Sequence, residues 1–154
     1  MTLTETFALV SFSLFSYADL RYRLVPGIEV FLLGTILLAL PITPLQTGIV
    51  LLACLWGIVR NLSGWFAVPM LFYPPVWPVL LTGYGYRKAI IGRADLLAIS
   101  GLACLFPAVL LSLLGLELWR RFWVCRQHGD IPALPGLLIG LIAYLLLRLF
   151  LQTP

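Results

Sequence analysis

Charged residues are nearly absent from the middle of the sequence. Between Glu29 and Arg87 the single charged residue is Arg60, and the stretches on either side of it are dominated by aliphatic and aromatic side chains. The whole 154-residue chain is 62% hydrophobic and 10% charged, whereas soluble domains are about 25% charged. This composition excludes an ordinary soluble domain, and we interpret the chain as an integral membrane protein.

The length limits how many times such a chain can cross a bilayer. A helical span needs about 20 residues, so there is room for five or six spans and no soluble module. We therefore predict an all-α fold: a polytopic membrane helix bundle of about six transmembrane helices, forming one domain over residues 1–154. The N-terminus carries Glu5 and lacks the basic region of a cleaved signal, so we expect the first span to be retained.

Prolines and charged residues divide the apolar sequence into segments. Residues 95–119, which Pro107 interrupts, fit either one long kinked helix or a hairpin of two short helices. The hairpin places nine of the ten Lys and Arg residues on the cytoplasmic side, and the positive-inside rule therefore favours it. The other predicted spans are residues 7–18, 28–40, 45–59 and 131–151.

Residues 61–86 are apolar but contain four prolines, Pro69, Pro74, Pro75 and Pro78, among several Trp and Tyr residues. Prolines remove backbone donors, and a regular span through lipid needs those donors. Trp and Tyr favour the headgroup layer. We predict an irregular interfacial or re-entrant segment, and an additional crossing is the alternative.

The remaining composition argues against a metal, a cofactor or a nucleic acid. The three cysteines have no CxxC spacing, and Cys54 and Cys104 lie in apolar runs, which is typical of small buried residues. His128 is the single histidine and, even with Cys125 and Asp130 nearby, too few donors are present for a zinc site. The ten basic residues outnumber the six acidic ones but are dispersed along the chain. We attribute the excess of basic residues to membrane topology.

Two aspartates mark the borders of apolar segments. Asp19 ends the first apolar run and is followed by Arg21 and Arg23, whereas Asp95 begins a later run. An ionisable group at a membrane boundary is costly and is retained mainly when it pairs, reaches water or reacts. Each aspartate could simply cap a helix or pair with arginine, and a functional role requires that the two lie on the same side of the membrane.

Both aspartates lie in motifs that resemble those of the type IV prepilin and preflagellin peptidases, the GxGD membrane aspartyl proteases. Asp-Leu-Arg-Tyr-Arg-Leu-Val-Pro at residues 19–26 is similar to the family pattern at the end of its first span. Gly-Arg-Ala-Asp at residues 92–95 resembles the second motif, and Asp-Ile-Pro-Ala-Leu-Pro-Gly at residues 130–136 resembles the entry into the last span. Residues 61–86 lie outside the resemblance.

The resemblance implies a membrane aspartyl endopeptidase with Asp19 and Asp95 as its catalytic residues. Its substrate would be a pilin-like or archaellin-like precursor, whose short leader is removed at the cytoplasmic face of the cell membrane. No cofactor is implied, and the oligomeric state is not predicted. Two alternatives stay open: a non-catalytic polytopic protein in which both acids are structural, and a GxGD-type intramembrane protease with other substrates. A transporter fits less well, because its ionisable groups lie near the bilayer midplane.

Overall fold

The computed structural model describes residues 2–126 and 131–152, and over these residues the chain forms helices joined by turns. The predicted all-α fold is confirmed. The α-helices are α1 (Leu3–Tyr22), α2 (Ile28–Ala39), α3 (Pro44–Ile58), α4 (Trp77–Arg87), α5 (Arg93–Ala103), α6 (Ala108–Arg126) and α7 (Leu134–Gln152), and the short 3₁₀ helices are η1 (Gly64–Ala67), η2 (Pro69–Phe72) and η3 (Pro74–Val76).

The chain divides into two compact units. The first consists of Met1–Gly27 and Pro107–Pro154 and contains α1, α6 and α7. The second is Ile28–Phe106, which contains α2 to α5 and the 3₁₀ helices.

In the first unit, α1 and α7 pack antiparallel and are joined at both ends. The carboxylate of Asp19, near the end of α1, accepts a hydrogen bond from the backbone N–H of Leu134, the first residue of α7. At the other end, Glu5 pairs with Arg148 and is only 2% exposed. Glu5 also completes a capping box with Thr2 at the start of α1. Arg148 of α7 is therefore held by a buried acid of α1.

Glycines bring α6 and α7 into backbone contact. A Cβ added to Gly115 would lie 2.5 Å from the Gly140 nitrogen, and one added to Gly136 would lie 2.7 Å from the Leu116 Cα. A Cβ at Gly140 would overlap the backbone of Leu111. Small residues of this kind let helices approach more closely than larger side chains allow. These close contacts fix the position of α7 against α6, and with it the position of the Leu134 N–H.

The second unit is built around α3, α4 and α5. Gly57 of α3 and Gly83 of α4 face one another, and a Cβ on Gly83 would lie 3.1 Å from the Gly57 Cα. The Gln46 side chain, at the start of α3, donates a hydrogen bond of 2.7 Å to the Ala103 carbonyl at the end of α5. Residues 96–103 of α5 are all buried, so this helix forms much of the core.

The proline-rich segment is less irregular than the sequence predicts. Three 3₁₀ helices occupy residues 64–76, but Trp77–Arg87 is a regular α-helix. The prediction of irregular structure as far as residue 86 is therefore wrong for this last part. The reason is that Pro78 lies in the first turn of α4, where the missing N–H has no intrahelical acceptor to lose.

The interruption at Pro107 separates two helices, α5 and α6, as predicted. The second of them is longer than expected, since α6 has 19 residues and continues to Arg126 rather than ending near Trp119. Arg120 and Arg121 therefore lie within a helix, where they pair with Glu117 at 2.9 and 3.0 Å. These pairs support the continuation of the helix beyond Trp119.

One helix among the described residues is long and apolar enough to cross a membrane. It is α7, whose residues Leu134–Leu151 have a mean hydropathy of 2.2. Helices α2 and α3 are also apolar but have only 12 and 15 residues. At 1.5 Å per residue they are about 18 and 22 Å long, short of the ~30 Å hydrocarbon core. The predicted count of six spans stays a prediction.

Candidate active site

Asp19 lies in the last turn of α1, one residue beyond the apolar run that ends at Ala18. Its Oδ2 atom accepts a hydrogen bond of 3.2 Å from the Leu134 backbone N–H. The helix stops at Arg23, which adopts a left-handed conformation (φ 56°) and donates its own N–H to the Asp19 carbonyl at 3.2 Å. The helix thus ends within one turn after Asp19, and α7 supplies a hydrogen-bond donor to the Asp19 carboxylate.

The surroundings of Asp19 act on its charge in opposite directions. Partial burial is the largest effect and raises the pKa of the carboxyl above its ordinary value of 3.8. Hydrogen bonds from the backbone of Leu134 and Ala133, together with the charge of Arg23, lower the pKa by smaller amounts. The result is an aspartate that keeps a proton to higher pH than a solvent-exposed one does.

The two arginines of the Asp19 motif contact aromatic side chains. Arg21 donates from Nη1 to the Tyr17 hydroxyl at 2.9 Å. The Arg23 guanidinium carbon lies 5.3 Å from the ring centroid of Trp123 in α6. These contacts hold the end of α1 against its own helix and against α6, which fits a positioning role for both cations.

Asp95 is the third residue of α5 and lies in its first turn, half-buried. Its Oδ2 atom is 3.4 Å from the position that a Cβ on Gly92 would occupy, so the carboxylate turns back towards the start of its own helix. The free backbone N–H groups of a first helical turn favour a negative charge there. Gly92 leaves room for this arrangement.

Arg93, which separates Gly92 from Ala94 in the second motif, is already engaged. Its Nη2 atom lies 3.2 Å from the carboxylate of Glu29, and both side chains are more than half exposed. An exposed pair of this kind contributes little to stability. It does give the cation of the second motif an acidic partner.

Each predicted catalytic acid is therefore placed within its own unit, Asp19 in the first and Asp95 in the second. Their convergence stays a prediction. Among residues 2–126 and 131–152, no group of three or more His, Cys, Asp or Glu side chains could hold a metal ion. Cys54 and Cys104 are buried free thiols, whereas His128 and Asp130 lie outside the described residues.

The sequence motifs did not identify the backbone donors of Ala133 and Leu134 as partners of Asp19. A usable signal was present, since Pro132 and Pro135 flank this point and Pro135 is the second residue of α7. Prolines at such positions mark a helix start, where free N–H groups await an acceptor. The sequence did not show which acid would supply that acceptor, because Asp19 lies 115 residues before Leu134.

Comparison with known proteins adds no relative to this description. No protein-family model, curated protein or solved structure matches the chain.

Proposed function

We propose that the chain is a membrane aspartyl endopeptidase that uses Asp19 and Asp95 to remove the short leader of a pilin-like or archaellin-like precursor. The proposal places it in the cell membrane as a multi-pass protein of about six spans, with its active site facing the cytoplasm. The precursor and the lipid bilayer are its partners. No cofactor takes part in the proposed reaction.

The observation that carries the proposal is the state of Asp19. It is a half-buried carboxyl at the polar end of an apolar helix, its pKa is raised by burial, and it lies in the motif that resembles the peptidase family. An aspartyl protease needs one protonated and one ionised carboxyl at the same pH. Asp19 keeps its proton to higher pH and so meets half of that requirement. The backbone N–H groups at the start of α5 favour the ionised form of Asp95, which meets the other half.

In the proposed reaction one carboxylate accepts a proton from a water molecule, whose oxygen attacks the scissile carbonyl carbon. The other carboxyl gives its proton to the carbonyl oxygen. The first carboxyl then gives the proton taken from water to the leaving amine as the C–N bond breaks. The second carboxylate regains its proton from a hydroxyl of the tetrahedral intermediate, which becomes the new carboxyl group. Because two coupled acids titrate together, the roles of base and acid belong to the pair.

The membrane location is supported by α7 and by the apolar surface of shorter helices. Large apolar side chains that are more than half exposed recur along α2, α3 and α7, and a soluble monomer rarely exposes extensive apolar patches. They include Val30, Leu33 and Leu37 of α2, Leu45 and Leu52 of α3, and Leu147, Phe150 and Leu151 of α7.

The test is co-expression with pilin-like precursors, with leader removal read as a size shift on a gel. The parent chain is expected to process at least one precursor. Asp19→Asn and Asp95→Asn should each abolish processing while the protein still accumulates in the membrane fraction. Arg93→Gln is the matched control, and it should process normally. Full processing by either Asn variant would rule out the mechanism.

A non-catalytic role is the second candidate, and one hydrogen bond favours it. The carboxylate of Asp19 caps the start of α7, which is a purely structural task. Cysteine variants at positions 19 and 95 test this, because a catalytic pair is labelled from the cytoplasm alone and labelling from opposite sides of the membrane excludes a pair. A GxGD-type protease with other substrates would share the pair, and a panel of signal-peptide substrates separates it from a prepilin peptidase.

A further inference from the structure

The second unit contains an apolar pocket that the proposed reaction does not use. Its volume is about 300 Å³, at the lower end of the range for ligand sites in proteins. Side chains from α3, η1, η2 and α4 enclose it, and all of them are apolar: Trp56, Ala67, Leu71, Trp77, Leu80 and Leu81. The pocket lies in the proline-rich part of the chain, where the peptidase resemblance does not extend.

The polar groups of the two tryptophans in its wall are already satisfied. The Trp56 indole N–H donates to the Ser63 carbonyl at 3.2 Å, and the Trp77 indole N–H donates to the Leu71 carbonyl at 2.8 Å. These bonds fold residues 63–71 back onto α3 and α4. Because no indole donor is left over, the wall offers hydrocarbon contact alone, which excludes a polar occupant.

Positive charge lies against Trp56, one of the residues that line this pocket. The Arg87 guanidinium carbon is 4.7 Å from the ring centroid of Trp56, and its Nη2 atom donates to the carbonyls of Arg60 and Leu62. Both hydrogen bonds are donated by Nη2, so neither carbonyl accepts from Nη1. Arg60 and Lys88 are exposed on the same stretches of chain. An occupant with an apolar chain and an anionic end would match both features.

Exposed aromatic side chains lie on the segments that line the pocket. Trp65 is 80% exposed, Phe72 is 87% exposed and Trp77 is 51% exposed. Large aromatic residues with polar neighbours are enriched in the headgroup layer of membranes. This is the layer in which the acyl chain and the phosphate of one lipid molecule lie within reach of a single site.

We propose that this pocket binds one acyl chain of an anionic phospholipid, whose phosphate is held by Arg87. The proposal rests on the membrane location given above and is independent of Asp19 and Asp95. It gives the proline-rich segment a specific task, which is to seat one lipid against α3 and α4.

The test is native mass spectrometry of the whole protein released from detergent with phosphatidylglycerol or phosphatidylcholine of identical acyl chains. The parent should retain one phosphatidylglycerol in preference to phosphatidylcholine. Leu81→Asn places a polar group in the wall at a 73% exposed position and should weaken retention at least about fivefold. Leu114→Asn is the matched control on α6, 60% exposed and outside the pocket, and it should bind as the parent does.

Further variants test the contact with the acyl chain and the contact with the phosphate separately. Ala67→Phe fills the pocket and should reduce retention as Leu81→Asn does. Arg87→Gln should abolish the preference for the anionic lipid, and Arg87→Lys should restore it. Unchanged retention in both wall variants, or no preference in the parent, would overturn the proposal. Retention of inorganic phosphate but of neither lipid would also overturn it, because the pocket would then have no acyl occupant. Saturable binding of an apolar peptide in place of the lipid would overturn it too.

Discussion

The two aspartates occupy the same kind of position in sequence but opposite positions in their helices. Asp95 lies in the first turn of α5, where the helix itself favours its charge. Asp19 lies in the last turn of α1, where the free carbonyls of that helix disfavour an anion. Asp19 compensates by accepting an N–H from the start of another helix, α7.

The comparison shows that the charge of Asp95 is favoured by its own helix, whereas the charge of Asp19 is favoured by a second helix. Any change that moves α7 alters the surroundings of Asp19, whereas the first turn of α5 favours a charged Asp95 through its own backbone. If the two form a catalytic pair, their different environments would separate their proton affinities, which is what acid–base catalysis requires.

The largest expected effect distinguishes a pair from two independent acids. Asp19→Asn and Asp95→Asn should each reduce the cleavage rate by at least about 100-fold, since each removes a proton-transfer group. The double variant should lose little more than either single one, because residues that act as a unit are not additive. Rates of leader removal by purified protein in lipid vesicles measure this. Multiplicative losses would show that the acids act separately.

A stability loss of about 1–3 kcal/mol is expected for Gly140→Ala, because the added Cβ meets the α6 backbone and must push α7 away. The thermal unfolding midpoint in detergent measures it. Gly48→Ala, in α3, is the control, as a Cβ there meets nothing within 4 Å. If α7 positions the donor of Asp19, Gly140→Ala also lowers the cleavage rate, and an unchanged rate would show that the Leu134 bond is dispensable.

Removing each carboxylate should cost different amounts of stability. Asp19→Ala leaves the Leu134 N–H without its acceptor and should lower the free energy of unfolding by about 1–2 kcal/mol. Asp95→Ala removes a charge from a favourable position at a helix start, an effect of about 0.3–1 kcal/mol. Denaturant titrations of both variants test the order, and a larger loss for Asp95→Ala would contradict the comparison.

The smallest expected effect is on pH dependence. Because the folded pKa of Asp19 is above its ordinary value of 3.8, the folded chain holds a proton that the unfolded chain has released. The free energy of unfolding contributed by this group should therefore fall as pH rises from about 3.8 through the raised pKa, and then stay constant. Unfolding midpoints measured across this range should show the decline in the parent and a flatter profile in Asp19→Asn.

Helix boundaries followed closely from the sequence wherever apolar runs met proline or charge. The predicted segments at residues 28–40 and 45–59 correspond to α2 and α3 within two residues, and the interruption at Pro107 separates α5 from α6. Proline was misleading once, at Pro78, because its effect depends on whether it lies inside a helix or in the first turn. The position of α4 depends on its packing against α3 at Gly57 and Gly83.

The sequence by itself determined the helical class, the apolar character and the two aspartates at helix ends, since composition and local periodicity carry that information. Only the tertiary structure decided that Asp19 caps α7, that Glu5 pairs with Arg148, and that two tryptophans close an apolar pocket. These contacts join residues far apart in the chain, and no local pattern specifies which distant donor or acceptor will meet a given side chain. The packing of α6 on α7 and of α3 on α4 further depends on glycines that let the helices approach closely.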